Sequence, residues 1–226
     1  MADTHPTITA LEYQQKRPDR VNVYLDGAFG LALAESVVQE AGLRRGVHLS
    51  PDDIRRLLDR DNAQRAYDTA LNFLSYRPRS EAEIRRNLER KRYAPERIEE
   101  VLARLRGARL IDDAAFAKYW IENRDAFSPR GSRALRAELR AKGVGDEGLK
   151  EAFAEDRDES EGAYAAGSRK ARQLRGLDRQ TFRQRLGAFL ARRGFSYDTI
   201  KPATERLWRE QNATDESDDD LFEESV

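Results

Sequence analysis

Hydrophobic positions follow two different periods along the chain. Between residues 8 and 33 they nearly alternate with polar ones, in the segments ITALEY, VNVYLDG and AFGLALA. Alternation is the period of β-strands, and Asp26-Gly27 forms a two-residue turn between the last two segments. The pattern predicts a small antiparallel sheet, followed by a short helix over ESVVQEAG that ends at Gly42.

A second helix is predicted to begin near Pro51. Ser50 supplies a capping hydroxyl, Pro51 suits the first helical position, and Asp52 and Asp53 face the positive helix end. We expect this helix to run from about Pro51 into the part of the chain that follows. Residues 1–64 are therefore predicted to be an N-terminal accessory region.

From about residue 65 the apolar positions recur every three to four residues, which predicts α-helices. They group into three units of three helices, at 65–111, 112–156 and 157–210, although Pro202 predicts a break or restart in the last helix. Residues 211–226 are predicted to be a disordered acidic tail, because charge this dense cannot form a core. The predicted fold is mainly α, with three tandem three-helix repeats and a small N-terminal antiparallel β-region.

One stretch of sequence occurs three times at a spacing of 51 residues: LERKRYAPERI from residue 88, LRAKGVGDEGL from 139 and LARRGFSYDTI from 190. Each copy has a leucine, a cation three positions later and an apolar residue two positions after that. Short helices are marginal alone, so the apolar positions predict one helical unit that buries the same stripe three times. Arg92 stands where the other copies have Gly143 and Gly194, so the first repeat lacks their glycine helix end.

The repeated cations are not needed for a core stripe. One interpretation is that each interacts with the negative end of its helix, which contributes about 0.3–1 kcal/mol. The other is that they bind an anionic partner, since like charges at i and i+4 on the second helices cost helix stability. The candidate binding residues are Arg77, Arg79, Arg85, Arg86, Arg90, Lys91, Arg130, Arg133, Arg136, Arg140, Lys142 and Arg193.

Composition and charge narrow the possible functions. The 226 residues are 39% hydrophobic and 36% charged, with no cysteine. The start lacks the apolar run of a secretory signal, and no segment reaches about 18 consecutive apolar residues, so we expect a cytoplasmic protein without a membrane role. The net charge is zero, but residues 65–210 carry +9 and residues 211–226 carry −7. This segregation is typical of proteins that meet a polyanion or an acidic protein surface.

No catalytic or cofactor-binding constellation is apparent. Asp112 and Asp113 are interpreted as helix-capping acids, and His5 and His48 are isolated, so neither pair predicts a metal site. A phosphate-binding glycine loop is absent. We expect a protein that is not an enzyme and needs no cofactor. Among the aromatic residues, Tyr76 and Phe127, in corresponding loops, are candidates for partner contact.

Three segments carry a family resemblance: RPRSEAEIRRNLERK, VLARLRGARLIDDAAFAKYWIENR and SPRGSRALRAELRAKGV. In this order they resemble the RecX family of RecA recombinase regulators. The resemblance is strong over residues 65–155, weaker over the third repeat, and extends to the N-terminal part only as an accessory region.

The resemblance implies a module of three-helix repeats that lodges in the groove of the RecA–DNA filament, with no chemistry of its own. It would lower ATP hydrolysis, strand exchange and filament growth, with its cations facing recombinase or DNA phosphate. We expect a monomer with weak, sequence-independent DNA binding. The alternative is a stand-alone DNA-binding regulator whose three-helix units act as helix-turn-helix modules.

Overall fold

The computed structural model describes residues 5–154 and 157–223, with side chains up to residue 212. The chain forms two compact units. Unit 1 comprises Met1–Arg77 and Ile84–Leu110, and unit 2 comprises Pro78–Glu83 and Ile111–Val226.

A three-stranded antiparallel sheet opens unit 1. The strands β1 (Ile8–Gln14), β2 (Arg17–Leu25) and β3 (Ala28–Ala34) lie in the order β1-β2-β3. The turn between β2 and β3 has positive φ at both Asp26 (49°) and Gly27 (85°). Such a turn matches the twist of the flanking strands, which is why the Asp-Gly pair identifies this hairpin.

Two helices follow the sheet, α1 (Glu35–Glu40) and α2 (Pro51–Leu74). Ser50 and Asp53 cap α2 reciprocally, each side chain accepting from the other's backbone amide. The predicted helix start at Pro51 is thus confirmed, and α2 continues without interruption past residue 64. The apolar faces of the sheet, α1 and the first turns of α2 share one core, in which Ile8, Val23, Leu33, Val37 and Leu57 are buried.

A buried ion pair attaches α2 to the sheet. Arg20 Nη1 donates to Asp61 Oδ1 at 2.7 Å, and the backbone amide of Ala34 donates to the same oxygen, also at 2.7 Å. Arg20 Nη2 donates to the carbonyl oxygen of Ala32. The carboxylate and the guanidinium therefore satisfy each other and the sheet, which is the condition under which charges are tolerated in an interior.

The first repeat combines the second half of α2 with α3 (Glu81–Arg90) and α4 (Pro95–Gly107). Ile84 and Leu88 of α3 are fully buried. On α4, an apolar stripe at i, i+3, i+4 and i+7 is buried throughout, because those spacings place its members on one face of the helix. The stripe consists of Ile98, Val101, Leu102 and Leu105.

Unit 2 contains the other two repeats. The second is formed by α5 (Asp113–Phe127), α6 (Ser132–Ala141) and α7 (Asp146–Ala152). The third is formed by α8 (Ser160–Arg172), α9 (Arg179–Arg192) and α10 (Tyr197–Glu223). Each has its own core, with Phe116, Leu135, Leu139 and Leu149 buried in the second repeat and Phe182, Leu186, Leu190 and Leu207 in the third. The mainly α fold with three helical repeats and a small N-terminal sheet is confirmed.

The last helix differs from the prediction at Pro202. α10 passes through this residue instead of breaking there. Proline removes one backbone hydrogen bond, but Ala203 and Leu207 of the following turns are buried in the third core, and this packing keeps the helix continuous. The predicted tail, 211–226, falls almost entirely on residues whose side chains lie outside the described part, so its disorder stays a prediction.

None of the helices, over the residues described, is both long and apolar enough to cross a bilayer.

Candidate functional site

The second helices of the three repeats, α3, α6 and α9, end in the same turn. Arg92, Gly143 and Gly194 adopt left-handed φ angles of 64°, 87° and 86°. The next amide donates to the carbonyl oxygen five residues back in every case, which defines a Schellman helix end. These bonds join Tyr93 to Leu88 (3.2 Å), Val144 to Leu139 (3.0 Å) and Phe195 to Leu190 (3.3 Å). The turn of the first repeat therefore matches the others although it has arginine in place of glycine.

Lys91, Lys142 and Arg193 immediately precede these left-handed residues, so the repeated cations mark the ends of the second helices. Lys142 and Arg193 are the C-cap residues of α6 and α9. Their positions fit the interaction with the negative helix end. Lys91 is exposed, whereas Lys142 and Arg193 are half-buried.

Lys142 belongs to a contact within unit 2 that we call the α3/α6 joint, formed by Ser80, Glu83, Lys142 and Gly143. The Ser80 hydroxyl donates to the Lys142 carbonyl oxygen at 2.7 Å. Lys142 Nζ lies 2.9 Å from Glu83 Oε1 and 4.0 Å from the ring centroid of Trp120. A Cβ on Gly143 would overlap the Ala82 methyl group, so the end of α6 sits directly on the start of α3.

Asp113 also supports the start of α3. Its Oδ1 accepts from the Glu81 amide at 2.9 Å, while the neighbouring Asp112 caps α5 by accepting from the amides of Ala114 and Ala115. Burial raises the pKa of the Asp113 carboxyl, against the hydrogen bond from Glu81. Both acids therefore bind helix amides, as capping residues do.

The corresponding contact one repeat later is the α6/α9 joint, formed by Pro129, Gly131, Arg193 and Gly194. The Gly131 amide donates to the Arg193 carbonyl oxygen at 3.1 Å, and Arg193 Nη1 donates to the Pro129 carbonyl oxygen at 3.3 Å. Burial, and then repulsion from Arg130, lowers the pKa of the Arg193 guanidinium. Since Ser80 and Gly131 are 51 residues apart, both joints place a helix end against the same position of the preceding repeat.

Several other candidate cations contact groups inside their own unit. Arg130 Nε lies 2.9 Å from a Glu138 oxygen, an ion pair by distance whose N–H does not point along a hydrogen bond. The remaining contacts join Arg85 to Glu99, Arg136 to the Phe153 ring at 4.1 Å, Arg140 to Asp146 at 3.6 Å and Arg133 Nη2 to the Ala191 carbonyl oxygen at 3.2 Å.

Exposure separates the candidates into two groups. Arg77 and Arg79 are half-buried and have partners within the chain. The exposed candidates lie on the second helices or directly after them, and they are Arg86, Arg90, Lys91, Arg133 and Arg140.

The structure brings Arg133 and Arg136 together in a groove of unit 2, with a volume of about 1150 Å³, between α6 and the helices α9 and α10. Arg157, Arg183 and Lys201 also line this basic groove, and Glu159 is the carboxylate among its described lining residues. On the α9 side the groove is lined by the small residues Gly187, Ala188 and Ala191. Arg157 is paired with Asp125 and Glu159, and Arg183 with Glu205. The positive charge of Arg133, Arg136 and Lys201 remains, and it favours an anionic occupant.

Sequence reasoning missed Arg157, Arg183 and Lys201. Arg157 and Lys201 each have a cation 51 residues earlier, at Arg106 and Lys150, so the repeat spacing carried a signal for these two, whereas Arg183 has no cation at the equivalent positions. A further signal was on α9, where small residues interrupt the bulky side chains and leave space for the groove.

Family models match nearly the whole helical part of the chain. Those described as the first, second and third three-helix domains of RecX match residues 66–105, 112–154 and 157–204. The model of the regulatory protein RecX N-terminal domain matches residues 6–50. The chain belongs to the RecX family. The N-terminal sheet is thus a family domain in its own right.

Individual relatives agree with this assignment. The regulatory protein RecX of Bacillus subtilis is 30% identical over 215 residues, which are 94% of this chain and 81% of the relative. That of Bacillus velezensis is 32% identical over 204 residues, which are 89% of this chain and 77% of the relative.

Solved structures show the same fold. A crystal structure of regulatory protein RecX has a TM-score of 0.71 and 31% identity, covering 87% of this chain and 99% of that one. The crystal structure of RecX from Lactobacillus salivarius has a TM-score of 0.59 and 24% identity, covering 65% of this chain and 97% of that one. The second likeness concerns the fold alone.

Proposed function

We propose that this protein is a non-enzymatic regulator that binds the RecA–DNA filament in its groove and lowers ATP hydrolysis, strand exchange and filament growth. It would act as a cytoplasmic monomer in recombination, DNA repair and the SOS response, with no cofactor and with weak, sequence-independent affinity for DNA. Membership of the RecX family supports the regulatory role.

The observation that carries the proposal is the recurrence of the joint. The Ser80 hydroxyl donates to the Lys142 carbonyl oxygen and the Gly131 amide to the Arg193 carbonyl oxygen, so the ends of α6 and α9 meet equivalent positions 51 residues apart. Within unit 2, this contact holds α6 and α9, with their exposed cations, one repeat apart. Such a surface is suited to a partner that is itself periodic and negatively charged.

The test is DNA-dependent ATP hydrolysis by the cognate recombinase, measured with and without this protein. We expect the wild type to lower the rate several-fold. Arg90→Glu and Arg140→Glu should weaken the effect, because both side chains are exposed on the second helices. The half-buried pair Arg79→Glu and Arg130→Glu should weaken it further, with circular dichroism confirming that these variants fold.

Arg45→Glu is the matched control, since this arginine is exposed in the loop after α1 and precedes the three repeats in the sequence. It should inhibit like the wild type. An unchanged hydrolysis rate with the wild-type protein would refute the proposal. A strong preference among unrelated DNA duplexes would instead support the stand-alone DNA-binding regulator.

A further inference from the structure

Two large aromatic side chains are left exposed at equivalent positions of the first and second repeats. Tyr76 is 77% exposed and Phe127 is 82% exposed, and they are 51 residues apart. Each comes two residues before the proline that precedes a second helix. A single exposed aromatic residue is ordinary in a folded protein. Here the exposure recurs at the same position of two repeats, which points to a shared role for Tyr76 and Phe127.

Phe127 borders a recess of about 370 Å³ in unit 2. Arg169, Lys170 and Arg193 line this Phe127 recess together with the Phe189 ring, and no carboxylate is among its described lining residues. Arg169 is exposed, and Lys170 Nζ donates to the neutral Gln173 side-chain oxygen at 3.3 Å. Arg193 is half-buried beside this recess and is repelled by Arg130. An anion would balance the positive charge of the recess.

Tyr76 borders a recess of about 590 Å³ in unit 1. Three exposed cations, Arg17, Arg65 and Lys91, line this Tyr76 recess, and the Tyr93 ring adds a second aromatic surface. Asp19 and Asp68 are also present, so the positive excess is smaller than at Phe127. The combination of an exposed ring with several cations is nevertheless the same.

We propose that Tyr76 and Phe127 are stacking platforms for the unpaired bases of single-stranded nucleic acid, with the adjacent cations holding its phosphates. An aromatic face stacks on any base, so such a site binds without regard to sequence. Bases in a duplex are already stacked and offer no free face. A protein partner would instead have to supply a pocket for these rings, because both project into solvent. The inference rests on the proposed function, in which the partner carries single-stranded DNA.

The experiment measures binding of the full chain to a labelled oligothymidine of about 20 nucleotides by fluorescence anisotropy at low salt. Phe127→Ala should weaken binding about 5- to 10-fold, consistent with the loss of one stacked base. Phe127→Trp should retain the affinity, and its tryptophan emission should be quenched by the oligonucleotide. Phe29→Ala is the control, because Phe29 is 61% exposed but lies in the β-hairpin. It should bind like the wild type.

The dependence of binding on salt and on the presence of bases separates the contribution of stacking from that of charge. Phe127→Ala should keep the wild-type dependence on salt, whereas Arg169→Gln should make it shallower, because only the arginine displaces counterions. An abasic oligonucleotide should bind the wild type more weakly than oligothymidine does. The abasic oligonucleotide should bind Phe127→Ala and the wild type with equal affinity.

Equal losses for Phe127→Ala with the abasic oligonucleotide and with oligothymidine would overturn the inference, as would no loss with either. Weaker binding of Phe127→Ala to polyglutamate, with oligothymidine unaffected, would indicate an acidic protein as the occupant. The outcome is independent of the recombinase. If stacking is found and ATP hydrolysis is unchanged, only the proposed function fails.

Discussion

Arg92 adopts a backbone conformation that a residue with a side chain disfavours. A non-glycine residue at a left-handed φ costs about 1–2 kcal/mol, and the equivalent residues of the other repeats are glycines. The Schellman turn forms nevertheless, because Tyr93 continues the apolar stripe and its amide bonds to Leu88. Burial by the repeat thus outweighs the local preference of one residue.

We therefore expect Arg92→Gly to stabilise the protein by about 0.5–1 kcal/mol. Removing the left-handed strain is partly offset by the greater flexibility of glycine in the unfolded chain. The urea midpoint measures the change, and it should rise.

Gly143→Ala is the control at the equivalent position. It should destabilise by about 2 kcal/mol or more, since its methyl group would meet both the left-handed φ and the Ala82 side chain. A lower midpoint for Arg92→Gly would contradict the view that this site is strained.

At the scale of single elements, the start of α2 is fixed by a reciprocal cap between Ser50 and Asp53. The hydroxyl of Ser50, and then the guanidinium of Arg56, lowers the pKa of the Asp53 carboxyl to about 2, from a reference of 3.8. Because the folded pKa is the lower one, the carboxylate contributes stability that is complete above about pH 4. That contribution is lost as the pH falls through 2.

Asp53→Asn should therefore lower the unfolding midpoint at pH 7, and the difference from the wild type should shrink between pH 4 and pH 2. Urea titrations across this range measure the difference, and carboxyl NMR gives the pKa of Asp53 directly. Asp52→Asn is the neighbouring control, because Asp52 is not part of the reciprocal cap. A difference that stays constant down to pH 2 would argue against the depressed pKa.

The helices and their buried stripes could be read from the sequence because they depend on local spacing. Ile98 and Leu105 share a face whatever the rest of the chain does. Pro202 could not be interpreted in the same way, since tertiary packing of Ala203 and Leu207 decides whether the helix continues. The ion pair of Arg20 with Asp61 was also out of reach, because it joins residues 41 apart with no periodic signal.

At the site, the positions of the repeated cations could be predicted but their contacts could not. The 51-residue spacing showed where they recur, whereas their binding partners within the chain lie far away in the sequence. Lys142 is held by Glu83, which is 59 residues away, and Arg193 by a carbonyl 64 residues away. The basic groove was only partly visible in the pattern, because Lys201 has Lys150 one repeat earlier whereas Arg183 has no cation at the equivalent positions.

For the whole molecule, the separation of charge between body and tail is the dominant electrostatic feature. Residues 65–210 carry +9 and residues 211–226 carry −7. Gln211 still belongs to the folded body, since its side-chain amide donates to the Ala171 carbonyl oxygen at 2.8 Å. A clean removal of the acidic segment therefore begins at residue 213.

Deleting residues 213–226 should tighten DNA binding at low salt, because the acidic segment competes with phosphate for the basic surface. We expect a gain of roughly 3- to 10-fold at about 50 mM salt that fades near 300 mM, where charges farther apart than the Debye length are screened. Anisotropy with the same oligonucleotide measures it. Replacing the seven acids by their amides should reproduce the gain, and unchanged binding in both variants would contradict the competition.

The close packing at the two joints limits which amino acids these positions can accept. Gly143 and Gly194 are confined by the first turns of the preceding second helices, where any β-carbon would collide. A library containing every single substitution should therefore show two sharply intolerant positions separated by one repeat length. Position 92, which is equivalent to positions 143 and 194 in the first repeat, should accept many amino acids. The contrast in tolerance would then show that the α3/α6 joint is the first joint along the chain.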